Sequence, residues 1–142
     1  MSPFNERIIS FTKGSSRNKI IIATDEIPGI SVLDIGYQLS EKLKTITGKS
    51  NLSLRASRFS EILFEKHITQ DEALGSILYI KNIGILFEPK LKIDTQALIE
   101  RYSKNNTLII QWDYEFKDHK LFFKNTSNHY LDLSYLSYLI AE

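Results

Sequence analysis

Four continuous apolar runs stand out along the chain and are typical of buried β-strands. They lie at 19–25, 30–34, 77–81 and 107–112, and each is shorter than an ordinary helix. Strands that are apolar at every position are usually buried on both faces, as in a parallel sheet covered by helices. These four runs therefore predict the centre of a mainly parallel sheet.

Amphipathic helices are predicted around these strands. Apolar residues recur at helical spacing at Phe4, Ile8 and Phe11, at Ile35, Leu39, Leu43 and Ile46, at Ala56, Phe59, Ile62 and Leu63, and at Leu98, Ile99 and Tyr102. Asp34, Ser53 and Asp94 precede the last three helices and are predicted to cap them. Gly14 and Gly48 are predicted to end the first two. Strands that alternate with helices predict an α/β fold whose sheet is covered on both faces.

The remaining segments are less regular. The run TQDE at 69–72 matches a capping box, Thr69 with Glu72, and predicts a short turn that ends at Gly75. The run KLFFK at 120–124 predicts a returning strand, joined to the preceding one through the polar 113–119. In the tail, 131–140, Leu133, Leu136 and Ile140 have helical spacing and predict a final helix. The predicted fold class is a three-layer, P-loop-like α/β sandwich with 4–5 central strands and a possible antiparallel hairpin.

Composition narrows the class of protein. A chain of 142 residues with 42% hydrophobic residues fits one domain, 1–142, with a substantial core. Its net charge of +1 does not favour a general electrostatic grip on nucleic acid, although a local basic patch remains open. The absence of cysteine excludes disulfides, thiolate zinc sites and cysteine nucleophiles. No secretory signal or membrane helix is recognisable, so we expect a cytoplasmic protein.

Two local patterns argue against an intact ATP site. The fragment TGKSN at 47–51 resembles the end of a phosphate-binding loop, but that loop needs a glycine where Leu43 stands. It also follows a predicted helix, so a helix end with a polar turn is the better interpretation. Only about five residues separate the first two strands, too few for a parallel crossover. These strands therefore pair as a hairpin or lie apart.

The end of the third strand also argues against an intact ATP site. In many nucleotide hydrolases an acid at this place handles magnesium, whereas here Lys81 follows Ile80. An ammonium group repels the metal. Lys81 is either a strand-end lysine with its head in water or a group that holds a phosphate or a partner's acid.

The segment from 78 to 112, LYIKNIGILFEPKLKIDTQALIERYSKNNTLIIQW, resembles the small P-loop protein family of type 3 BREX phage-defence systems, the BrxF family. The shared pattern is an apolar strand, an Asn-Ile step, Leu-Phe followed by Pro, a Leu and an Asp, a helix, and a Ser-basic-Asn-x-Thr step into the next strand. These positions are Asn82-Ile83, Leu86-Phe87, Pro89, Leu91, Asp94, Leu98 and Ser103 to Thr107. The segment VLDIGYQLSEKL at 32–43 resembles the family's second strand and following helix.

The resemblance covers about 70 to 80 residues and implies phage-defence biology. The chain departs from the family where its phosphate loop and first helix appear deleted between Asp25 and Ile30, and where Lys81 replaces the Walker-type acid. Together with these departures, the resemblance implies a degenerate member of the family without ATPase activity, and with no catalytic, cofactor-binding or metal-binding residues. Such a protein would act as a scaffold through contacts with other defence proteins and with DNA. The sequence also leaves open whether it forms homo-oligomers. The alternatives are a nucleotide-binding switch with an atypical phosphate loop and a small DNA-binding or nuclease module.

Six residues are candidates for contact with DNA or a partner: Lys81, Asn82, Arg101, Lys104, Asn105 and Asn106. A second basic group alternates with aromatic residues on the predicted hairpin, namely Lys117, Lys120 and Lys124 with Tyr114, Phe116, Phe122 and Phe123. Lysines beside aromatic platforms suit single-stranded nucleic acid. In the alternative interpretation, alternate aromatic residues face the core and the lysines face water.

Two further patterns are weaker. Asp113, Glu115 and Lys117 resemble the acid and lysine set of a magnesium-dependent nuclease, but such a site normally takes one acid from a preceding strand. His67, His119 and His129 lack metal-ligand spacing and are interpreted as surface histidines.

Overall fold

The computed structural model describes residues 3–46, 51–122 and 130–141. Its α-helices are α1 (Glu6–Lys13), α2 (Ile35–Lys44), α3 (Leu52–His67) and α4 (Thr95–Asn105). Two short 3-10 helices cover Ile83–Phe87 and Pro89–Leu91. The strands are β1 (Lys19–Ala23), β2 (Leu33–Asp34), β3 (Thr69–Asp71), β4 (Gly75–Lys81), β5 (Thr107–Gln111), β6 (Phe116–Lys117), β7 (Lys120–Phe122), β8 (Tyr130–Asp132) and β9 (Tyr138–Ala141).

The central sheet confirms the predicted fold class. Five parallel strands follow the order β2-β4-β5-β1-β9, and β3 pairs antiparallel with the first half of β4. β1 and β2 lie apart, with β5 and β4 between them, so the second of the two predicted arrangements is correct. The connection from β1 to β2, residues 24–32, contains no helix.

Alternating side chains divide the sheet into two covered faces. On one face Ile20 and Ile22 of β1 join the larger core, which is completed by α2, α3 and α4. On the other face Ile21 and Ala23 pack with α1 and with apolar residues of the 24–32 segment. The molecule therefore has three layers, although the layer on the second face is one helix and one irregular segment.

Both aspartate caps are where the sequence predicts them. The Asp34 carboxylate accepts a hydrogen bond from the Tyr37 amide at 2.9 Å, and Asp94 accepts one from the Ala97 amide at 3.1 Å. α1 ends at Gly14 as predicted. The predicted cap Ser53 is wrong: α3 begins at Leu52 because Asn51 takes a left-handed conformation (φ 63°), which asparagine tolerates. α2 ends at Lys44, and the predicted stop at Gly48 lies outside the described residues.

The capping box predicted from TQDE is wrong, although the predicted short turn is present at 72–74 and ends at Gly75. Residues Thr69–Asp71 pair with β4 as β3, which satisfies their backbone groups in a ladder. The Asp71 carboxylate then accepts hydrogen bonds from the Ala73 and Leu74 amides, at 2.8 and 2.9 Å, and closes the turn into β4. A pattern that resembles a helix cap serves here as a side-chain-stabilised turn.

The final helix predicted from the tail is also wrong. Residues 130–132 form β8, and Tyr138–Ala141 form β9 beside β1. Leu133 and Leu136 are buried on either side of a turn, in which the Leu136 amide donates to the Leu133 carbonyl at 3.0 Å. Strand pairing with β1 stabilises this segment more than a terminal helix would, because it extends the sheet over an apolar core.

The predicted antiparallel hairpin is part of a small sheet of order β6-β7-β8. Asp118 and His119 connect its first two strands, both with positive φ (53° and 63°), which is the backbone of a type I′ turn. Leu121 and Leu131 reach from this sheet into the larger core. Phe123 and Lys124 of the KLFFK run lie outside the described residues.

Candidate functional site

Ligands of open parallel α/β sheets bind beyond the carboxyl ends of the strands, and this edge is therefore the candidate site. Asp34 stands at the end of β2, Lys81 and Asn82 at the end of β4, and Gln111 and Trp112 at the end of β5. These are neighbouring strands in the sheet. The fold thus gathers polar residues that lie far apart in the sequence.

Asp34 and Asn82 form a bridge between the ends of β2 and β4. The Asn82 side-chain amide donates to Asp34 Oδ2 at 2.9 Å, while Oδ1 of the same carboxylate caps α2. Asn82 has a left-handed backbone (φ 56°) that starts the following 3-10 helix. Both oxygens of the Asp34 carboxylate are therefore engaged within the chain.

Lys81 lies directly beside Asp34 in the strand register. Its side chain is half-buried and forms no salt bridge with any residue that the structure describes. The place where a magnesium-handling acid would stand therefore holds a lysine, next to a carboxylate that already accepts two hydrogen bonds.

The segment 24–32 takes the place where a phosphate loop and its helix would follow β1. It packs on the second face of the sheet through Ile27, Ile30 and Val32. The Ile27 amide donates to the Tyr79 hydroxyl at 3.3 Å, and that hydroxyl donates to Gln111 Oε1 at 2.5 Å. Burial raises the pKa of Tyr79, so the phenol stays neutral and keeps both hydrogen bonds. Between residues 19 and 34 the strand–loop–helix unit needed for phosphate binding is absent.

A small cavity opens between the ends of β4 and β5. Its volume is about 130 Å³, and it is lined by Asn82, Ile83, Gly84, Gln111, Trp112, Asp113 and Tyr114. The Trp112 and Tyr114 rings meet edge to face at 5.6 Å, and the Trp112 amide donates to the Ala23 carbonyl at 2.9 Å. The cavity is therefore held between an aromatic pair and the first turn after β4.

The other candidate contact residues lie at the opposite end of the sheet, where the parallel strands begin. Arg101 donates to Glu61, and Lys104 lies 3.4 Å from Glu100. Asn106 donates to the Tyr102 carbonyl at 3.1 Å, and Asn105 is exposed. Both basic residues are thus paired with acids of the same chain.

The separation of the two groups follows from the path of the chain. Asn106 accepts a hydrogen bond from Ser76 at the start of β4, whereas Lys81 ends that strand, about 16 Å away at roughly 3.3 Å per residue. The six candidates therefore do not form one contact surface.

The weaker candidates lie on the surface. Asp113, Glu115 and Lys117 are exposed, and the described part of the chain has no cluster of three or more acids or histidines able to hold a metal. His67 Nδ1 contacts the Leu63 carbonyl at 2.8 Å, and His119 Nδ1 contacts the Tyr138 hydroxyl at 2.5 Å. His129 lies outside the described residues.

The small sheet presents a mixed aromatic and charged surface, which we call the outer face. It consists of Lys117, Lys120, Phe122, Tyr130 and Asp132, because residues paired across antiparallel strands point to the same side. The Phe122 and Tyr130 rings are 5.5 Å apart, and the Lys120 ammonium lies 5.1 Å from the centre of the Tyr130 ring. The aromatic residues of the hairpin do not all face the core.

Two aromatic residues outside this face are exposed as well. Tyr114 is 55% exposed and Phe116 is 36% exposed. Exposure of some hairpin aromatics fits both interpretations, since the second one places only alternate aromatic residues in the core. Leu121 is the residue of β7 that is fully buried.

Sequence reasoning missed the Asp34–Asn82 bridge and the Tyr79–Gln111 pair. A usable signal existed for the first, because both residues end predicted strands of one parallel sheet. No signal existed for the second, since Tyr79 reads as one apolar residue in a buried strand.

Of the helices that the structure describes, none is both long enough and apolar enough to cross a membrane. Comparison of the chain with models of protein families, with curated proteins and with solved structures found no match.

Proposed function

We propose that the protein is a non-catalytic, P-loop-like accessory protein of a bacterial phage-defence complex of the BREX type, and that it acts through protein contacts. The observation that carries this proposal is the path of residues 24–32. They cross from β1 to β2 as an irregular segment packed on the sheet, so between residues 19 and 34 the parallel sheet lacks the loop and helix that would bind a phosphate.

The end of β4 supports the same proposal. Lys81 stands where an acid would handle magnesium, and Asp34 is engaged by Asn82 and by the start of α2. A phosphoryl-transfer site needs both a phosphate cradle and a metal-handling acid. An α/β fold that keeps its sheet without these two parts is suited to holding other proteins together. The resemblance of residues 32–43 and 78–112 to the BrxF family supplies the biological setting.

Co-purification tests the accessory function. The full chain, expressed with the products of its neighbouring genes, should elute with at least one of them at constant stoichiometry in size-exclusion chromatography. Equilibrium dialysis with labelled ATP and magnesium should show no retention at millimolar nucleotide. A chain that stays alone with every neighbour would contradict the accessory function. Retained ATP would favour the nucleotide-binding switch instead.

Single-stranded nucleic acid binding is a second candidate function, favoured by the outer face of the small sheet. Aromatic side chains next to lysines can bind single strands, because bases stack on the rings while the lysines contact the phosphates. Asp132 opposes this on the same face, since hydrogen bonds from Ser134 hold the pKa of its carboxyl below the usual value and keep it ionised. For this reason we place protein contacts before nucleic-acid binding in the proposed function.

Replacement of one ring tests this second function. If the outer face binds single strands, Tyr130→Ala should weaken binding of a fluorescent oligo-dT by about 1–3 kcal/mol, the usual worth of one stacked base. Tyr37→Ala removes a tyrosine of α2 that is 59% exposed, against 38% for Tyr130, and should change nothing. Fluorescence anisotropy at two salt concentrations measures both. Binding that is equal in the two variants, or that does not weaken with salt, would exclude the outer face as the site.

A further inference from the structure

β9 is an edge strand of the central sheet. Within the described residues its ladder partner is β1 alone, so its other side presents backbone amides and carbonyls. All four of its residues are half-buried, and the strand has no proline or charge. Natural proteins usually block an exposed edge with such residues. An edge without them is suited to pairing with an added strand.

An apolar cavity lies at the end of this edge. It has a volume of about 200 Å³, and the apolar part of its lining consists of Pro3, Phe4, Ile8, Ala23, Ile27, Pro28 and Ala141. A cavity of about 150 Å³ is enough to hold a benzene ring, so this one accepts a branched aliphatic or aromatic side chain. Ala141 belongs both to the cavity wall and to β9. A strand added to β9 therefore passes directly beside the cavity.

The rim of the cavity is acidic. Asp25 and Glu26 line it, both are exposed, and neither forms a salt bridge with a described residue. The other polar residue that lines it, Asn5, caps α1 by accepting a hydrogen bond from the Ile8 amide at 2.9 Å. The two carboxylates favour a ligand that carries a positive charge next to the apolar side chain that fills the cavity.

We propose that the β9 edge and this cavity together bind an extended segment of a partner protein, in which an apolar side chain fills the cavity and a neighbouring lysine or arginine faces Asp25 and Glu26. Strand addition draws affinity from backbone hydrogen bonds and specificity from pockets for alternate side chains. The site has both parts. It rests on the proposed accessory function only in that such a protein needs a docking surface.

A second copy of this chain is a poorer occupant than another protein. Pairing of β9 with β9 of a second copy would bring Tyr138, Leu139, Ile140 and Ala141 to the edge. None of these is basic, so the acidic rim would remain uncompensated. The charge of the rim therefore selects a partner with a different sequence.

Peptide selection tests the proposal. Random heptapeptides displayed in single copy are selected on the purified full chain, and the enriched peptides are synthesised and titrated by fluorescence anisotropy. We expect an apolar residue with lysine or arginine within two positions of it. Glu26→Lys should weaken binding of these peptides about tenfold and strengthen binding of versions with glutamate in place of the basic residue. Glu72→Lys, the same charge change in the turn before β4, should alter neither.

Backbone methylation separates strand addition from simple side-chain binding. A strand added to an edge directs alternate amides towards it, so N-methylation in one register should abolish binding and in the other register should be tolerated. Equal tolerance of both registers, no enriched consensus, or equal effects of the two glutamate variants would each overturn the proposal. A dimer that no peptide dissociates would assign the edge to a second copy. If the Glu26→Lys variant still co-purifies with neighbouring gene products, the accessory function would stand. The β9 edge and its cavity would then not be the surface that binds the partner.

Discussion

Phe64→Ala is expected to lower the free energy of unfolding by about 3–5 kcal/mol, the usual cost of emptying a buried aromatic position. Phe64 is fully buried in α3. Its ring meets that of Tyr102 in α4 edge to face, with 5.1 Å between the centroids. The substitution therefore removes apolar burial and an aromatic contact between two helices of one layer. Domains of this size have about 5–15 kcal/mol of stability in all.

Leu54→Ala is the matched control, because it truncates another apolar side chain of the same helix. Leu54 is 61% exposed, and we expect a change within about 0.5 kcal/mol. Urea denaturation followed by far-ultraviolet circular dichroism measures both variants. Similar losses in the two would mean that α3 does not pack on the sheet through the face that carries Phe64.

The sheet and most helices were predictable because their signals are local and strong. A short run of consecutive apolar residues is typical of a buried strand, and the centres of β1, β4 and β5 consist of such runs. Asp34 and Asp94 mark helix starts because a short carboxylate satisfies free amides of the first turn. Such features need no knowledge of the rest of the fold.

The tail was not predictable by the same means. Leu133, Leu136 and Ile140 have helical spacing, yet their segment pairs with β1, over a hundred residues earlier in the chain. Spacing alone cannot include a partner so distant in sequence. The consequence reaches the function, since the open edge of β9 exists only because the tail is a strand.

The candidate site was predicted in part. Lys81 and Asn82 do lie at the carboxyl edge of the sheet, beside the end of β2. Arg101 and Lys104 lie at the other edge because α4 runs back across the sheet before β5 begins. The sequence does not show on which side of the sheet each group lies, because that depends on the helix of eleven residues that carries the chain from one end of the strands to the other.

Gly36→Ala should destabilise the protein although it places a better helix former in α2. Alanine normally stabilises a helix by about 1 kcal/mol relative to glycine. Here a Cβ on residue 36 would lie 2.9 Å from the Asn82 carbonyl oxygen and 3.0 Å from the Asn82 Cβ. To avoid these close contacts, the turn after β4 would have to move away from α2. We expect a net loss of about 1–3 kcal/mol, as for other overpacked sites.

Gly14→Ala provides the control for this prediction, since its Cβ would meet backbone oxygens at ordinary distances of 3.4 and 3.5 Å. Its expected effect is within about 0.5 kcal/mol. Urea denaturation gives the stabilities, and the NMR shift of the Asn82 side-chain amide reports whether its hydrogen bond to Asp34 changes. A Gly36→Ala protein as stable as the parent, with that resonance unmoved, would show that the turn has room to spare. The close contact matters for the site because it fixes Asn82 against Asp34, and this bridge, together with the cap of α2, engages both oxygens of the carboxylate beside Lys81.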